Sequence, residues 1–196
     1  MFKEIVLASK SKVRKKILEE NGIKCRVEPS NIDEEIIKES LLKEKASPVI
    51  ISKNLAKAKA NIVSKKIKDK LVLGADSVID LNGKIISKPS NRKEAMLILQ
   101  NLNGKKHFLV SSACISKNGT VIWNYTDKAT LIMRKMTDID LKMYLNKITD
   151  EVLYAYNVYQ IEGEGRSLFL KIEGDENTIM GLPIKQIKKY LNKIKT

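Results

Sequence analysis

Residues 71–80 read LVLGADSVID, and this run decides the fold class of the chain. Valine, leucine and isoleucine favour β-structure, so the run predicts a buried strand. Gly74 and Ala75 lie at its middle, where small residues allow a ligand to approach the backbone closely. Asp76 follows them, and a buried carboxylate is unfavourable unless it is paired or binds a metal. The run therefore predicts a strand carrying a functional carboxylate, the alternative being an aspartate that caps a turn.

Outward from this strand, helical and strand patterns are mixed along the whole chain. The patterns predict strands at residues 4–8, 25–29, 107–116, 120–133 and within 153–173, and helices at 11–22, 48–68, 92–102, 137–148 and from Pro183 onward. Asn-Gly pairs at 82–83 and 118–119 indicate hairpins. Because hairpins accompany the helices, we predict an α/β fold with a mixed, partly antiparallel sheet flanked by helices. No linker or repeat divides the chain, so we expect a single domain over residues 1–196.

Composition limits the classes of protein to which the chain can belong. Hydrophobic residues make up 43% of it, enough for a packed core. No apolar stretch approaches the roughly 18–20 residues that span a bilayer, and residues 1–16 lack the long apolar region of a signal peptide. We therefore expect a cytoplasmic protein without a membrane partner. Cys25 and Cys114 match no metal or redox spacing, which indicates buried thiols.

The net charge is +14, which raises the alternative of nucleic-acid binding. Only five of the 37 basic residues are arginines, and the lysines are scattered through every segment. This dispersal is typical of a solvated surface, so we expect no specific nucleic-acid partner. A positive field would still favour the approach of a polyanionic substrate.

Two further segments carry candidate site residues. Ser9, Ser11 and Arg14 lie between a predicted strand and a predicted helix, where free backbone N–H groups, hydroxyls and a guanidinium suit a phosphate. The alternative is an ordinary serine cap with a surface arginine. Glycines at 163 and 165, next to Glu162, indicate either backbone near a ligand or tight turns. The only histidine, His107, begins a strand and is interpreted as structural.

Taken together, these segments resemble the Maf family of nucleotide pyrophosphatases over nearly the full length. The family opens with Leu-Ala-Ser-x-Ser-x-x-Arg, and residues 7–14 read LASKSKVR. Its later motifs match LAKAKA at 55–60, GADSV at 74–78, Lys-Pro at 88–89, NGKKH at 103–107 and Gly-Leu-Pro at 181–183. Six motifs in the family's order and at its separations are a specific match, although each is weak alone.

The resemblance implies two lobes around a deep cleft, often in a homodimer, and hydrolysis of nucleoside triphosphates to monophosphates and pyrophosphate with Mg²⁺ or Mn²⁺. By position, Asp76 is similar to the family's catalytic, metal-associated carboxylate. The resemblance also implies an acidic site residue, Glu34, which is interpreted as a loop carboxylate. The implied phosphate contacts are Ser9, Arg14, Lys59 and Lys88.

The chain departs from the family pattern at several positions. Many members have Pro-Arg-Arg where this chain has Lys12-Val13-Arg14. Members that prefer pyrimidines carry Thr after the aspartate and Gln before the later glycine, whereas this chain has Ser77 and Glu162. It is therefore closer to the 7-methyl-GTP branch, with Glu162 as the expected base contact. The alternatives are a nucleotide-binding regulator or basic RNA-associated protein without turnover, and a phosphohydrolase releasing orthophosphate.

Overall fold

The structure is a computed structural model that describes residues 4–194, with the backbone alone at residues 154–156. Its strands are β1 (Ile5–Leu7), β2 (Cys25–Val27), β3 (Val72–Leu81), β4 (Lys84–Ile86), β5 (Lys106–Lys117), β6 (Thr120–Met133) and β7 (Phe169–Glu173). Its α-helices are α1 (Lys12–Glu20), α2 (Glu34–Lys43), α3 (Pro48–Lys66), α4 (Arg92–Leu102), α5 (Asp138–Lys147), α6 (Asp150–Tyr156), α7 (Glu176–Ile179) and α8 (Ile184–Lys193). A 3₁₀ helix covers Glu164–Leu168.

The strands form one seven-stranded sheet in the order β2-β1-β3-β5-β6-β7, with β4 also pairing with β3. Strand β1 is parallel to both β2 and β3, with Val6 opposite Arg26 and Val72. Strand β4 is antiparallel to β3, and β7 is antiparallel to β6. The predicted mixed, partly antiparallel sheet is therefore confirmed. The predicted cleft between two lobes stays a prediction.

Contact density divides the chain into two compact units. The first unit comprises residues 1–77, 110–128 and 175–196. Its main core cluster joins β1, α1 and α8 through residues such as Leu7, Leu18 and Ile187. On the margin of this core, the Trp123 ring is stacked with those of Tyr125 and Tyr190, with ring centroids 6.2 and 5.1 Å away.

The second unit comprises residues 78–109 and 129–174. It contains the hairpin of β3 and β4, whose turn at Asn82–Gly83 has positive φ at both residues, as the Asn-Gly pair predicts. His107 is fully buried here and shares a hydrogen bond of 3.0 Å with the Tyr159 hydroxyl. The interpretation of His107 as a structural side chain agrees with this environment.

Two predictions about local structure are wrong. Residues 153–173 were expected as strands, but only Phe169–Glu173 is a strand, and α6 ends at Tyr156. Thr149 caps α6 by accepting a hydrogen bond from the Val152 N–H, and two acidic residues follow in the first turn. These helix-start signals outweigh the β-propensity of the following residues. Helix α2 was not predicted, and its first residue, Glu34, is therefore helical rather than part of a loop.

Among residues 4–194, no helix is long and apolar enough to cross a membrane.

Candidate functional site

The first unit brings Asp76 and Lys59 into direct contact. Asp76 lies within β3, and Lys59 lies on α3. The Lys59 Nζ atom is 2.8 Å from the Asp76 Oδ1 atom, with the two side chains 7% and 9% exposed. A buried carboxylate requires a partner because water no longer solvates its charge. Lys59 supplies that partner through a charge-assisted hydrogen bond.

Glu34 completes an ion triplet around Lys59. Its Oε2 atom also lies 2.8 Å from Lys59 Nζ, but its side chain is 43% exposed. Asp33 caps α2 by accepting hydrogen bonds from the backbone N–H groups of Glu35 and Ile36, which places Glu34 at the first helical position. One ammonium group thus holds two carboxylates, one buried and one open to solvent.

The second oxygen of Asp76 distinguishes this carboxylate from an ordinary salt-bridge partner. Its Oδ2 atom is buried and has no hydrogen-bond partner among the residues that the structure describes. Buried polar atoms are nearly always paired, so an unpaired one in a native protein requires an explanation. A carboxylate oxygen of this kind can accept a hydrogen bond from water or coordinate a cation.

The turn between β1 and α1 places Ser9 and Arg14 beside the same strand. Ser11 caps α1 by accepting a hydrogen bond from the Arg14 N–H, and Ser9 Oγ accepts one from the Ser11 N–H. The serine cap of the alternative interpretation is therefore present, but the Arg14 side chain is not a surface arginine. It turns inward and contacts β3 and the Gly181 segment.

Four hydrogen bonds hold the Arg14 guanidinium. Nε donates to the Gly181 carbonyl and Nη1 to the Ala75 carbonyl, both at 2.9 Å. The contacts to the hydroxyls of Ser9 and Ser77 are longer, at 3.4 and 3.3 Å. Bonds of this length are weak, and phosphate oxygens can replace them without releasing the two carbonyls.

The pKa of Arg14 reflects the same surroundings. Burial lowers the pKa of the guanidinium, and the nearby charges of Asp76 and Glu34 raise it in part. An arginine remains protonated under these conditions. Two cationic groups and two carboxylates therefore share this part of the unit.

A chain of hydroxyl groups behind Arg14 was not predicted. Ser111 Oγ donates to the Thr178 carbonyl at 2.6 Å, and its contact with Ser77 Oγ is 2.7 Å. Since the single Ser111 proton goes to Thr178, Ser77 must donate to Ser111 and accept from Arg14. In the sequence, Ser111 lies within an apolar run that is predicted as a strand. This position was the signal that its hydroxyl is buried and needs a hydrogen-bond partner.

The two other predicted site residues, Lys88 and Glu162, belong to the second unit. Lys88 is exposed and follows β4. Glu162 is exposed, and its Oε1 atom accepts a hydrogen bond from Gln160 Nε2 at 3.0 Å. Nearby, a Cβ atom at Gly165 would lie 2.6 Å from the Gln160 backbone nitrogen. Tight packing of this turn therefore accounts for that glycine.

The described residues contain no cluster of three or more His, Cys, Asp or Glu side chains that could hold a metal ion. Glu34 and Asp76 nevertheless provide two carboxylates beside one ammonium group. Mg²⁺ is commonly held by one or two carboxylates together with substrate phosphates. The unpaired Asp76 oxygen and this donor chemistry fit a cation that arrives with a phosphorylated substrate.

The chain is similar to known proteins over almost its whole length. The family described as "Maf-like protein" matches residues 4–194. A nucleoside triphosphate pyrophosphatase from Pelagibacter ubique (strain HTCC1062) is 69% identical over 195 residues, which cover 100% of both chains. A 7-methyl-GTP pyrophosphatase from Bartonella quintana (strain Toulouse) is 39% identical, covering 94% of this chain and 92% of the relative.

Solved structures are more distant. A HAM1 protein from Coxiella burnetii aligns with 69% of this chain and 75% of its own, at 14% identity and a TM-score of 0.46. A likeness of this size supports no conclusion about the site.

Proposed function

This chain belongs to the Maf-like protein family, and from that premise we propose that it hydrolyses nucleoside triphosphates between the α- and β-phosphates, releasing a nucleoside monophosphate and pyrophosphate. The predicted resemblance to the Maf family and the predicted hydrolase class are confirmed by the family match and by the pyrophosphatase of 69% identity. The particular substrate and the role of each residue are part of the proposal.

The unpaired Oδ2 atom of Asp76 is the observation on which the proposal depends. Lys59 holds the other oxygen at 2.8 Å, so the carboxylate is fixed in orientation before substrate binds. We assign Asp76 the task of orienting or deprotonating the attacking water through Oδ2, either directly or by way of a cation held there. A group already held in place loses little free energy to reorganisation during the reaction.

The cationic side chains are assigned to the phosphates. A triphosphate carries about four negative charges, and negative charge builds up on the pyrophosphate as it leaves. Lys59 and Arg14 would offset this charge in the first unit, with Ser9 as a neutral phosphate contact. We also assign Lys88 to the phosphates, because of its place in the Lys-Pro pair at residues 88–89.

A divalent cation, Mg²⁺ or Mn²⁺, fits the two carboxylates. Asp76 and Glu34 would hold it, since Asp76 has an unpaired oxygen and Glu34 is open to solvent. When bound, the ion would supply charge neutralisation and activation of water. Lys59 already contacts both carboxylates, so it would keep them near one another when the cation arrives.

Glu162 is proposed to read the base. A carboxylate only accepts hydrogen bonds, and guanine offers two adjacent donors on its Watson–Crick edge. Methylation at N7 would add positive charge to the ring and strengthen the pairing. Two relatives at 36% and 39% identity are named 7-methyl-GTP pyrophosphatases, which favours a guanine-type triphosphate as the substrate.

The test is a panel of nucleoside triphosphates, including 7-methyl-GTP, incubated with the protein and Mg²⁺. Pyrophosphate and orthophosphate are measured separately, and EDTA is added in a parallel series. We expect pyrophosphate with a guanine-type substrate and loss of the activity in EDTA. Release of orthophosphate alone, or binding of nucleotides without turnover, would contradict the proposal.

A further inference from the structure

Helix α3 contacts the Asp76 residue at both its main chain and its side chain. The Ser52 hydroxyl donates to the Asp76 carbonyl oxygen at 3.0 Å, and the Lys59 ammonium binds the Asp76 carboxylate. Seven residues separate Ser52 from Lys59, which is about two helical turns, so both side chains lie on one face of α3. The helix therefore holds Asp76 at two points.

Gly74 makes this approach of the helix to the strand possible. A Cβ atom at Gly74 would lie 2.3 Å from the Ala56 carbonyl oxygen and 2.6 Å from the Ala60 backbone nitrogen. Both are backbone atoms of α3, so no side chain can move aside to make room. Any larger residue at position 74 would displace the helix that carries Lys59.

From these contacts we propose that Ser52 and Gly74 are positioning residues for the reaction: they set the distance between Lys59 and Asp76, and neither contacts the substrate. This inference rests on the proposed function, in which a fixed Asp76 carboxylate orients the attacking water. Gly74 sets how closely α3 approaches β3, and Ser52 fixes the helix along the strand. A misplacement of about 1 Å at such a site lowers turnover by as much as a hundredfold.

Ser64 offers a matched control on the same helix. Like Ser52, it is fully buried on α3. Its hydroxyl donates to the Asn61 carbonyl at 3.1 Å and accepts from the Gly119 N–H at 3.0 Å, and neither of these hydrogen bonds involves Asp76. Ser64→Ala therefore removes a buried hydroxyl without changing how Asp76 is held.

The experiment compares kcat, KM and the thermal midpoint of Ser52→Ala, Ser64→Ala and wild type, using the triphosphate that gives the most pyrophosphate. We expect Ser52→Ala to lower kcat by roughly tenfold while KM stays within about twofold, because substrate binding is intact and the reacting geometry is not. Ser64→Ala should keep kcat within about twofold despite a similar loss of stability. Equal kcat values for the two variants would overturn the role of Ser52.

Two more variants keep the test decisive. If Ser52→Ala does not fold, Ser52→Cys keeps a side chain of similar size and only weakens the donor, and a smaller loss of kcat at unchanged KM is expected. Gly74→Ala should lower kcat by about a hundredfold, since the helix itself must shift. A Gly74→Ala protein with kcat within about twofold of wild type would overturn the role of Gly74.

Crystal structures of the variants test this inference independently of the proposed function. If wild type released no pyrophosphate from any triphosphate, the proposed function would be wrong, and the positioning role would be judged on geometry. We expect the Lys59 Nζ to Asp76 Oδ1 distance to exceed about 3.5 Å in Ser52→Ala and to be unchanged in Ser64→Ala. An unchanged distance in Ser52→Ala would overturn the positioning role whatever the activity of wild type.

Discussion

The Nζ atom of Lys59 lies 2.8 Å from the Asp76 Oδ1 atom, and neither side chain is more than a tenth exposed. Breaking a buried ion pair is strongly destabilising because the remaining charge loses its partner. The pair also fixes the carboxylate while leaving its second oxygen unpaired among the described residues. Stability and activity are therefore expected to respond differently to substitutions at these two positions.

Asp76→Asn should reduce pyrophosphate release by roughly a thousandfold or more, because asparagine keeps the shape but loses the charge that binds a cation and accepts a proton. Turnover is measured with purified protein, and circular dichroism checks the fold. Asp80→Asn is the matched control, since Asp80 is equally buried in the same strand and accepts a hydrogen bond from the Gly83 N–H. Near wild-type turnover in Asp76→Asn would remove Asp76 from the mechanism.

Lys59→Met should lower the free energy of unfolding by about 3 kcal/mol or more, since Asp76 would remain as a buried charge without its cation. Adding Asp76→Asn to Lys59→Met should recover much of that loss because the unpaired buried charge of Asp76 is removed. Urea unfolding of the two single variants and the double variant measures this coupling. Additive effects of the two substitutions would show that the pair is not coupled in the folded protein.

Arg14→Lys should lower both the thermal midpoint and kcat/KM, the latter by at least about tenfold. Lysine carries the same charge, but its single ammonium cannot reproduce the planar fork that binds the carbonyls of Gly181 and Ala75. Thermal unfolding and steady-state kinetics measure the two effects. Arg26→Lys, at an exposed arginine of β2, serves as the control and should leave both unchanged.

His107 should make the folded protein less stable in mild acid. Burial lowers its pKa from 6.5 to about 4, because the charged imidazolium loses solvation in the folded state. With a folded pKa below the unfolded one, the stabilisation is full above about pH 6.5 and is lost as the pH falls toward 4. Wild type should therefore lose about 2 kcal/mol between pH 7 and pH 5 from this group alone.

The check for His107 is urea unfolding of wild type and His107→Leu at both pH values. The variant loses the hydrogen bond to Tyr159 at every pH, so only the difference in pH dependence is informative. Other titrating groups are common to both proteins and cancel in that difference. Identical pH dependence in the two proteins would contradict the buried, neutral histidine.

Glu162→Gln should narrow or reverse the preference for guanine-type triphosphates over UTP and dTTP, since an amide can donate as well as accept. The ratio of kcat/KM values for the two substrate types measures the effect. Gln160→Ala is a useful companion, because it removes the side chain that now donates to Glu162 without altering the carboxylate. A wild-type preference for UTP or dTTP, or an unchanged ratio in Glu162→Gln, would end the base-reading role.

The order of strands and helices was predicted well where burial of one face gives the apolar residues a regular spacing. Strand β6 was predicted with its observed bounds, residues 120–133. Helix α2 was missed although the sequence carries signals for it: Asp33 caps it, Glu34 and Glu35 lie in its first turn, and Lys43 lies in its last turn. The strand prediction was wrong at 153–156, where the Thr149 cap starts a helix, and at 164–168, which form a 3₁₀ helix.

Part of the Asp76 cluster could be predicted as a set of residues but not as a set of contacts. Motif order grouped Ser9, Arg14, Lys59 and Asp76, and the structure brings these residues of the first unit together. Nothing in the spacing indicated that Lys59 would bridge two carboxylates. Ser52 also left no trace, because serine is ordinarily a surface residue and its burial is decided by tertiary packing.

The aromatic stack described in the first unit supplies an internal spectroscopic probe. Trp123 is the only tryptophan of the chain, and its indole ring is stacked with the rings of Tyr125 and Tyr190. Its fluorescence therefore follows the melting of the first unit, whereas far-ultraviolet circular dichroism follows the helices of both units. Coincident transitions by the two methods would indicate cooperative unfolding of the whole chain, and separate transitions would give each unit a stability of its own.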